Sequence, residues 1–195
     1  AYPEGPGLNI PVNMSVAFHS DAGCHPTDKL VGTFMFYTIK DDDKETTYPS
    51  GGDRICNRDF ADFIQTQIVE DIRQTMMPTW QKRHLMHQSM SETRNPKVPS
   101  TIIELLSHHN YYDMTFGLDP KFKFIASRAI YKGMLRFIHQ TTGTPYVVQP
   151  LPVQQMNISY ANNDSLHITW AERVDRLEPT ATPTYYIIYT RTSQL

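Results

Sequence analysis

The sequence predicts an α/β fold, a sheet flanked by helices, with an all-β piece after it. Two observations predict this. Apolar, strand-like runs at residues 12–18, 31–38 and 98–106 alternate with helical stripes at 58–77 and 120–138. Such alternation of the two periods marks a layered α/β architecture. Past residue 142 the pattern changes to short period-two segments between proline-rich turns, as in an all-β module.

The elements follow in order. Residues 12–18 (VNMSVAF) read as a buried strand ending at His19, with Asp21 two residues on. Residues 31–38 (VGTFMFYT) make a second strand, rich in aromatic and β-branched side chains. The polar stretch 40–53, with Pro49, Gly51 and Gly52, is a loop. Phe60, Ile64, Ile68, Ile72 and Met76 then recur every four residues, the spacing of an amphipathic helix. Asn57 offers an N-cap and Pro78 ends the run.

Residues 79–97 carry a weaker signal. His84 and His87 stand three apart, which on a helix places them on one face. A polar helical surface is preferred there over a metal pair, because no third ligand is near in sequence. Residues 98–106 (VPSTIIELL) form a buried strand containing Glu104. A carboxylate is costly to bury unpaired, so Glu104 faces a polar site or the strand end. A polar-aromatic loop (SHHNYYDMTFGL) follows. Asp119 caps the helix at 120–138 and Pro120 fills its first turn. Ala126, Ala129 and Gly133 in its stripe predict close packing against a sheet. The predicted domains are 1–142, a proline-rich linker at 143–153, and 154–195.

Composition narrows the function. The 195 residues are 39% hydrophobic and 19% charged, with 20 acidic against 18 basic side chains and a net charge of -2. Nothing in that balance suggests a nucleic-acid footprint or a polybasic membrane anchor. No apolar run approaches the ~20 residues of a membrane span. The N-terminal AYPEGPGLNIP lacks the pattern of a signal peptide, which fits one already removed or a start inside a longer chain. Cys24 and Cys56 can pair or stay free thiols, and no Cys-x-x-Cys motif exists.

His19 and Glu104 are the two outstanding polar groups. In open α/β sheets ligands bind beyond the carboxyl ends of strands. If their strands are neighbours the two converge, and a His ligand with a Glu base is the equipment of zinc-assisted hydrolysis. Taken alone, a strand-end histidine is more often structural.

The order of motifs adds to this. SVAFHSDAG, then GTFMFYT, a long amphipathic helix, PSTIIELLSHHN, and a helix ending in AIYKGMLRFI run in sequence. Over roughly residues 12–138 this resembles the second half of a zinc-dependent N-acetylmuramoyl-L-alanine amidase domain, in a divergent branch. The resemblance implies Zn2+ as cofactor, His19 as a metal ligand and Glu104 as the catalytic carboxylate. It places Asp21 at a loop-ordering position and makes His108, His109, Tyr111 and Tyr112 candidate substrate contacts. The implied reaction is hydrolysis of the amide between N-acetylmuramic acid and L-alanine in peptidoglycan. The implied location is periplasmic, outer-membrane-associated or secreted in a bacterium. The family's first strand, with its Asp-x-Gly-His motif, and its early ligand glutamate have no counterpart in the sequence, so an upstream part is expected to complete the site. The glutamate strand here continues as LLSHHN, where the family has a Gly-Phe-type turn.

Residues 154–195 resemble the start of a fibronectin type III sandwich, with Trp170 on its second strand and YYIIYTR as its third. Two other functions stay open. One is a polysaccharide-acting lyase or hydrolase whose base is Tyr111, Tyr112, His108 or His109 and which needs no zinc. The other is a non-catalytic cell-wall or glycan-binding module. A serine hydrolase is disfavoured by the lack of Gly-x-Ser-x-Gly.

Overall fold

The computed structural model describes residues 12–22, 29–162 and 165–191. Cys24 lies outside them, so its pairing with Cys56 does too. The contacts divide the chain into two units, Ala1–Thr144 and Pro145–Leu195.

The first unit is an α/β layer. Strands β1 (Ser15–Asp21), β2 (Thr33–Tyr37), β3 (Lys82–His87) and β4 (Ser100–Ser107) form one sheet in the order β1-β4-β2-β3. β1 runs parallel to β4, β4 antiparallel to β2, and β2 parallel to β3. Helices α1 (Cys56–Thr75) and α4 (Pro120–Thr142) build the core with one face of the sheet, around Met35, Ile103, Ile64, Ile68 and Phe122. The short helix α2 (Ser91–Arg94) packs against β4, and α3 (Tyr111–Gly117) follows β4 directly.

Four expectations change. Residues 82–87 are a strand, not part of a helical surface. Trp80 explains the placement: it is fully buried, and its indole N–H donates to Thr33 Oγ1 at 2.9 Å, which feeds the chain into the sheet beside β2. On a strand, residues three apart face opposite sides. His84 therefore lies against Phe34 while His87 stacks on Tyr37. Asn57 is not a cap. It is buried in the first turn of α1, accepting from Tyr48 Oη (2.6 Å) and Ser100 N (2.7 Å) and donating to Thr38 O (2.7 Å). The predicted loop after β4 holds helix α3, capped by the Asn110 side chain, which accepts Asp113 N at 2.8 Å. The small residues of α4 serve a helix contact: a Cβ on Gly133 would lie 2.7 Å from Ile64 Cα of α1. The Asp119 cap and the Pro120 start are present as expected.

The second unit contains a two-stranded antiparallel hairpin, β5 (Gln154–Asn162) and β6 (Ser165–Ala171). Residues 184–191 form no strand, and Trp170 meets Tyr186 edge-on at 5.3 Å. The predicted third strand is therefore absent. Tyr185, Ile187, Ile188 and Tyr189 are exposed, so nothing on a neighbouring element rewards an extended pairing there.

Candidate active site

β1 and β4 lie side by side, and His19 is the register partner of Glu104 near their carboxyl ends. His19 Nδ1 is 4.0 Å from Glu104 Oε1. The imidazole is 42% exposed and the Glu104 side chain only 12%. Burial pushes the Glu104 carboxyl up, Asp21 adds to this, and His19, Arg83 and His108 pull it down. Its Oε2 is buried and accepts no hydrogen bond within the described residues. An unsatisfied buried carboxylate oxygen costs stability, so a group from substrate or solvent has a natural partner here.

The other expected residues fall in different places. Asp21 Oδ2 pairs with Arg83 Nη1 at 2.6 Å. Its backbone carbonyl accepts from Ser107 Oγ (3.1 Å) and His108 N (3.2 Å), tying the end of β1 to the end of β4. His108 Nδ1 is 2.8 Å from Ser20 Oγ, and His109 packs edge-on to His108. Those two histidines are exposed at the rim. Tyr111 is 81% exposed. Tyr112 lies against Phe116 and points its hydroxyl at Met77. An apolar cavity of about 400 Å³, floored by Leu105, Leu106, Met114 and Phe122, opens beside His19 and His108.

Sequence reasoning missed two members. Glu92 of α2 brings Oε1 to 3.4 Å from His19 Nε2. Its own backbone N–H and the Ser91 hydroxyl, more than His19, hold its carboxyl below the usual range. Arg83 of β3 lays its guanidinium over the Phe34 ring at 4.7 Å and reaches Asp21 on the opposite edge strand. Both residues stand in the segment read as a polar surface; the pairing of β3 with β2 brings in Arg83, and the packing of α2 against β4 and β1 brings in Glu92.

The zinc expectation can be tested on these donors. A carboxylate stands at each ring nitrogen of His19, on opposite sides of the ring. One ion cannot meet both nitrogens, so the three side chains do not converge on a point. Among the described residues no group of three His, Cys, Asp or Glu side chains could hold a metal. The described residues do not form a zinc site by themselves.

The architecture has known counterparts. No protein-family model matches the chain, and no curated protein matches it. Solved structures do, and N-acetylmuramoyl-L-alanine amidases are among them. The N-acetylmuramoyl-L-alanine amidase from Clostridium difficile 630 superposes with a TM-score of 0.51 at 15% identity, over 68% of this chain and 60% of that one. The CwlD amidase from Clostridioides difficile, in complex with the GerS lipoprotein, gives 0.50 at 20% identity, over 68% and 57%. AmiC2 of Nostoc punctiforme gives 0.50 at 16%, over 65% and 58%. The likeness is one of fold, and this chain spans about 60% of the length of those structures. No helix among the described residues is long and apolar enough to cross a membrane.

Proposed function

We propose that this chain belongs to a peptidoglycan hydrolase that cleaves the amide between N-acetylmuramic acid and L-alanine outside the cytoplasm. One observation carries the reading: His19 and Glu104 are register partners at the carboxyl ends of adjacent parallel strands, in an amidase-like sheet. Glu104 takes a proton from the attacking water and passes it to the leaving amine. The upward push of burial on its carboxyl suits a group that must both accept and return a proton. His19 would be one ligand of a Zn2+ whose other ligands lie outside the described residues. His108 and His109, at the rim, are the better placed of the candidate substrate contacts. The β5–β6 hairpin would begin a separate β-sandwich module of the fibronectin type III kind.

The test is Glu104→Gln in the intact protein, assayed on muropeptides. Loss of a general base lowers turnover by about 10²–10⁴-fold. Cleavage near the wild-type rate would overturn the assignment. His19→Ala should instead lower bound zinc, measured by elemental analysis.

A further inference from the structure

Arg83 belongs to β3 and Asp21 to β1, the two edges of the sheet, yet their side chains meet above it. The guanidinium is fixed on two sides. Asp21 holds Nη1 at 2.6 Å, and the Phe34 ring supports its plane. Phe34 is itself the register partner of Glu104, so the guanidinium lies over the residue next to the proposed base. Nε and Nη2 make no hydrogen bond within the described residues, and the side chain is 25% exposed. Two nitrogens of a permanently charged guanidinium are thus left to donate, close enough to Glu104 to pull its carboxyl down.

We propose that Arg83 is a catalytic residue of this site, donating from its Nε–Nη2 edge to the carbonyl oxygen of the amide being cleaved. The proposal rests on the amidase reading of Glu104. Asp21 already neutralises much of the guanidinium charge, and the Glu104 carboxylate adds a further negative charge nearby. The fork therefore offers directed donors rather than a net positive charge, which suits a neutral amide oxygen. That oxygen becomes negative only as water adds to the carbonyl carbon, so the contact with Arg83 strengthens in the transition state. In the addition step a C–O bond forms, the carbonyl π pair moves onto the oxygen held by Arg83, and the water proton goes to Glu104. In the collapse the C=O bond reforms, the C–N bond breaks, and Glu104 returns the proton to the amine nitrogen. No oxidant or reductant is needed.

The experiment uses the intact protein with Arg83→Gln and Arg83→Lys, beside Glu104→Gln. Muropeptide turnover is measured together with affinity for a phosphinate that mimics the tetrahedral adduct of the muramoyl–alanine amide. Both Arg83 variants should lose about 10²–10³ in kcat, as for removal of an oxyanion donor. KM should change little, and phosphinate affinity should fall in parallel. Adding guanidinium ion to Arg83→Ala should restore part of the lost turnover, which a merely structural role would not allow. If Arg83→Gln unfolds, the Lys variant and the phosphinate affinity still decide. Wild-type kcat in either Arg83 variant, or a loss confined to KM, overturns the role of Arg83. The amidase reading then stands as long as Glu104→Gln is inactive. A wild-type protein that neither cleaves muropeptide nor binds the phosphinate overturns both.

Discussion

The Asp113 carboxylate accepts the backbone N–H of Ser107 at 2.9 Å, joining the first turn of α3 to the last residue of β4. The same carboxylate accepts Val31 N at 2.8 Å and Gly32 N at 3.3 Å, just before β2. One fully buried side chain thus sets the spacing of two strand ends beside the candidate site. Each buried N–H left without an acceptor costs roughly 1–3 kcal/mol. Asp113→Ala is expected to lower unfolding free energy by on the order of 3 kcal/mol in a urea titration. Asp113→Asn keeps one acceptor oxygen and should lose less. Equal midpoints for Asp113→Ala and the wild type would rule out this role.

Lys132 of α4 and Asp71 of α1 form a pair at 2.7 Å, both side chains under 5% exposed. Gln67 adds a hydrogen bond to Asp71 at 2.8 Å. Burial pushes the Asp71 carboxyl up, and Lys132 opposes that push. Lys132→Met leaves the carboxylate buried without its cation, at a cost of roughly 3–5 kcal/mol. A carboxyl whose pKa is raised by folding favours the folded state when protonated. The variant should therefore regain stability as the pH falls toward the carboxylate range. The double change Lys132→Met with Asp71→Leu should lose much less than the single one. A double-mutant cycle with no coupling would sink this account.

What the sequence disclosed follows from the range of the signals. The stripe of Phe60, Ile64, Ile68 and Ile72 and the Asp119–Pro120 start are local, so both long helices were legible. The convergence of His19 with Glu104 was legible only as a condition on strand order, which the sheet fulfils. β3 was not legible, because an edge strand of Lys, Arg and His with half-exposed apolar residues shows no clean alternation. Its place depends on Trp80 reaching Thr33, a contact across 47 residues. α3 had a weak local signal, Asn110 followed three residues later by Asp113, which the surrounding aromatic residues masked. Arg83 and Glu92 join the site through tertiary placement alone, which no motif spacing encodes.

Asp41 organises the loop before α1. Its carboxyl resists the upward push of burial because it accepts Glu45 N and Asp43 N, each at 3.0 Å, and faces Arg54 and Lys97. The net pKa is lowered from 3.8. A carboxyl with a lowered folded pKa contributes stability that is complete above its unfolded value and lost as the pH falls through the folded one. Stability should therefore decline below about pH 4. Asp41→Asn should be less stable at neutral pH and show a shallower decline in acid. The check is the urea midpoint of both proteins from pH 6 to pH 2. An unchanged acid limb in the variant would mean that Asp41 does not report on this loop.

Gly133 sets two effects against each other. In an exposed helix interior, replacing Gly by Ala stabilises by about 1 kcal/mol. At Gly133 the added Cβ would stand 2.7 Å from Ile64 Cα and 3.1 Å from Phe63 O, both backbone atoms of α1. Backbone cannot swing aside as a side-chain tip can, so α1 and α4 must move apart. That separation loosens contacts along the length of both helices, at roughly 1–3 kcal/mol for overpacking. The steric term wins, and Gly133→Ala should be destabilised. Gly117→Ala supplies the contrast. Its new Cβ would meet Leu106 Cδ2 at 3.0 Å, the end of a flexible side chain that can rotate away. That variant should stay within about 0.5 kcal/mol of wild type, the usual range for a substitution without a specific clash. Thermal unfolding of the two variants side by side decides: a Gly133→Ala protein at least as stable as the wild type would show that the helices are not in backbone contact at this point.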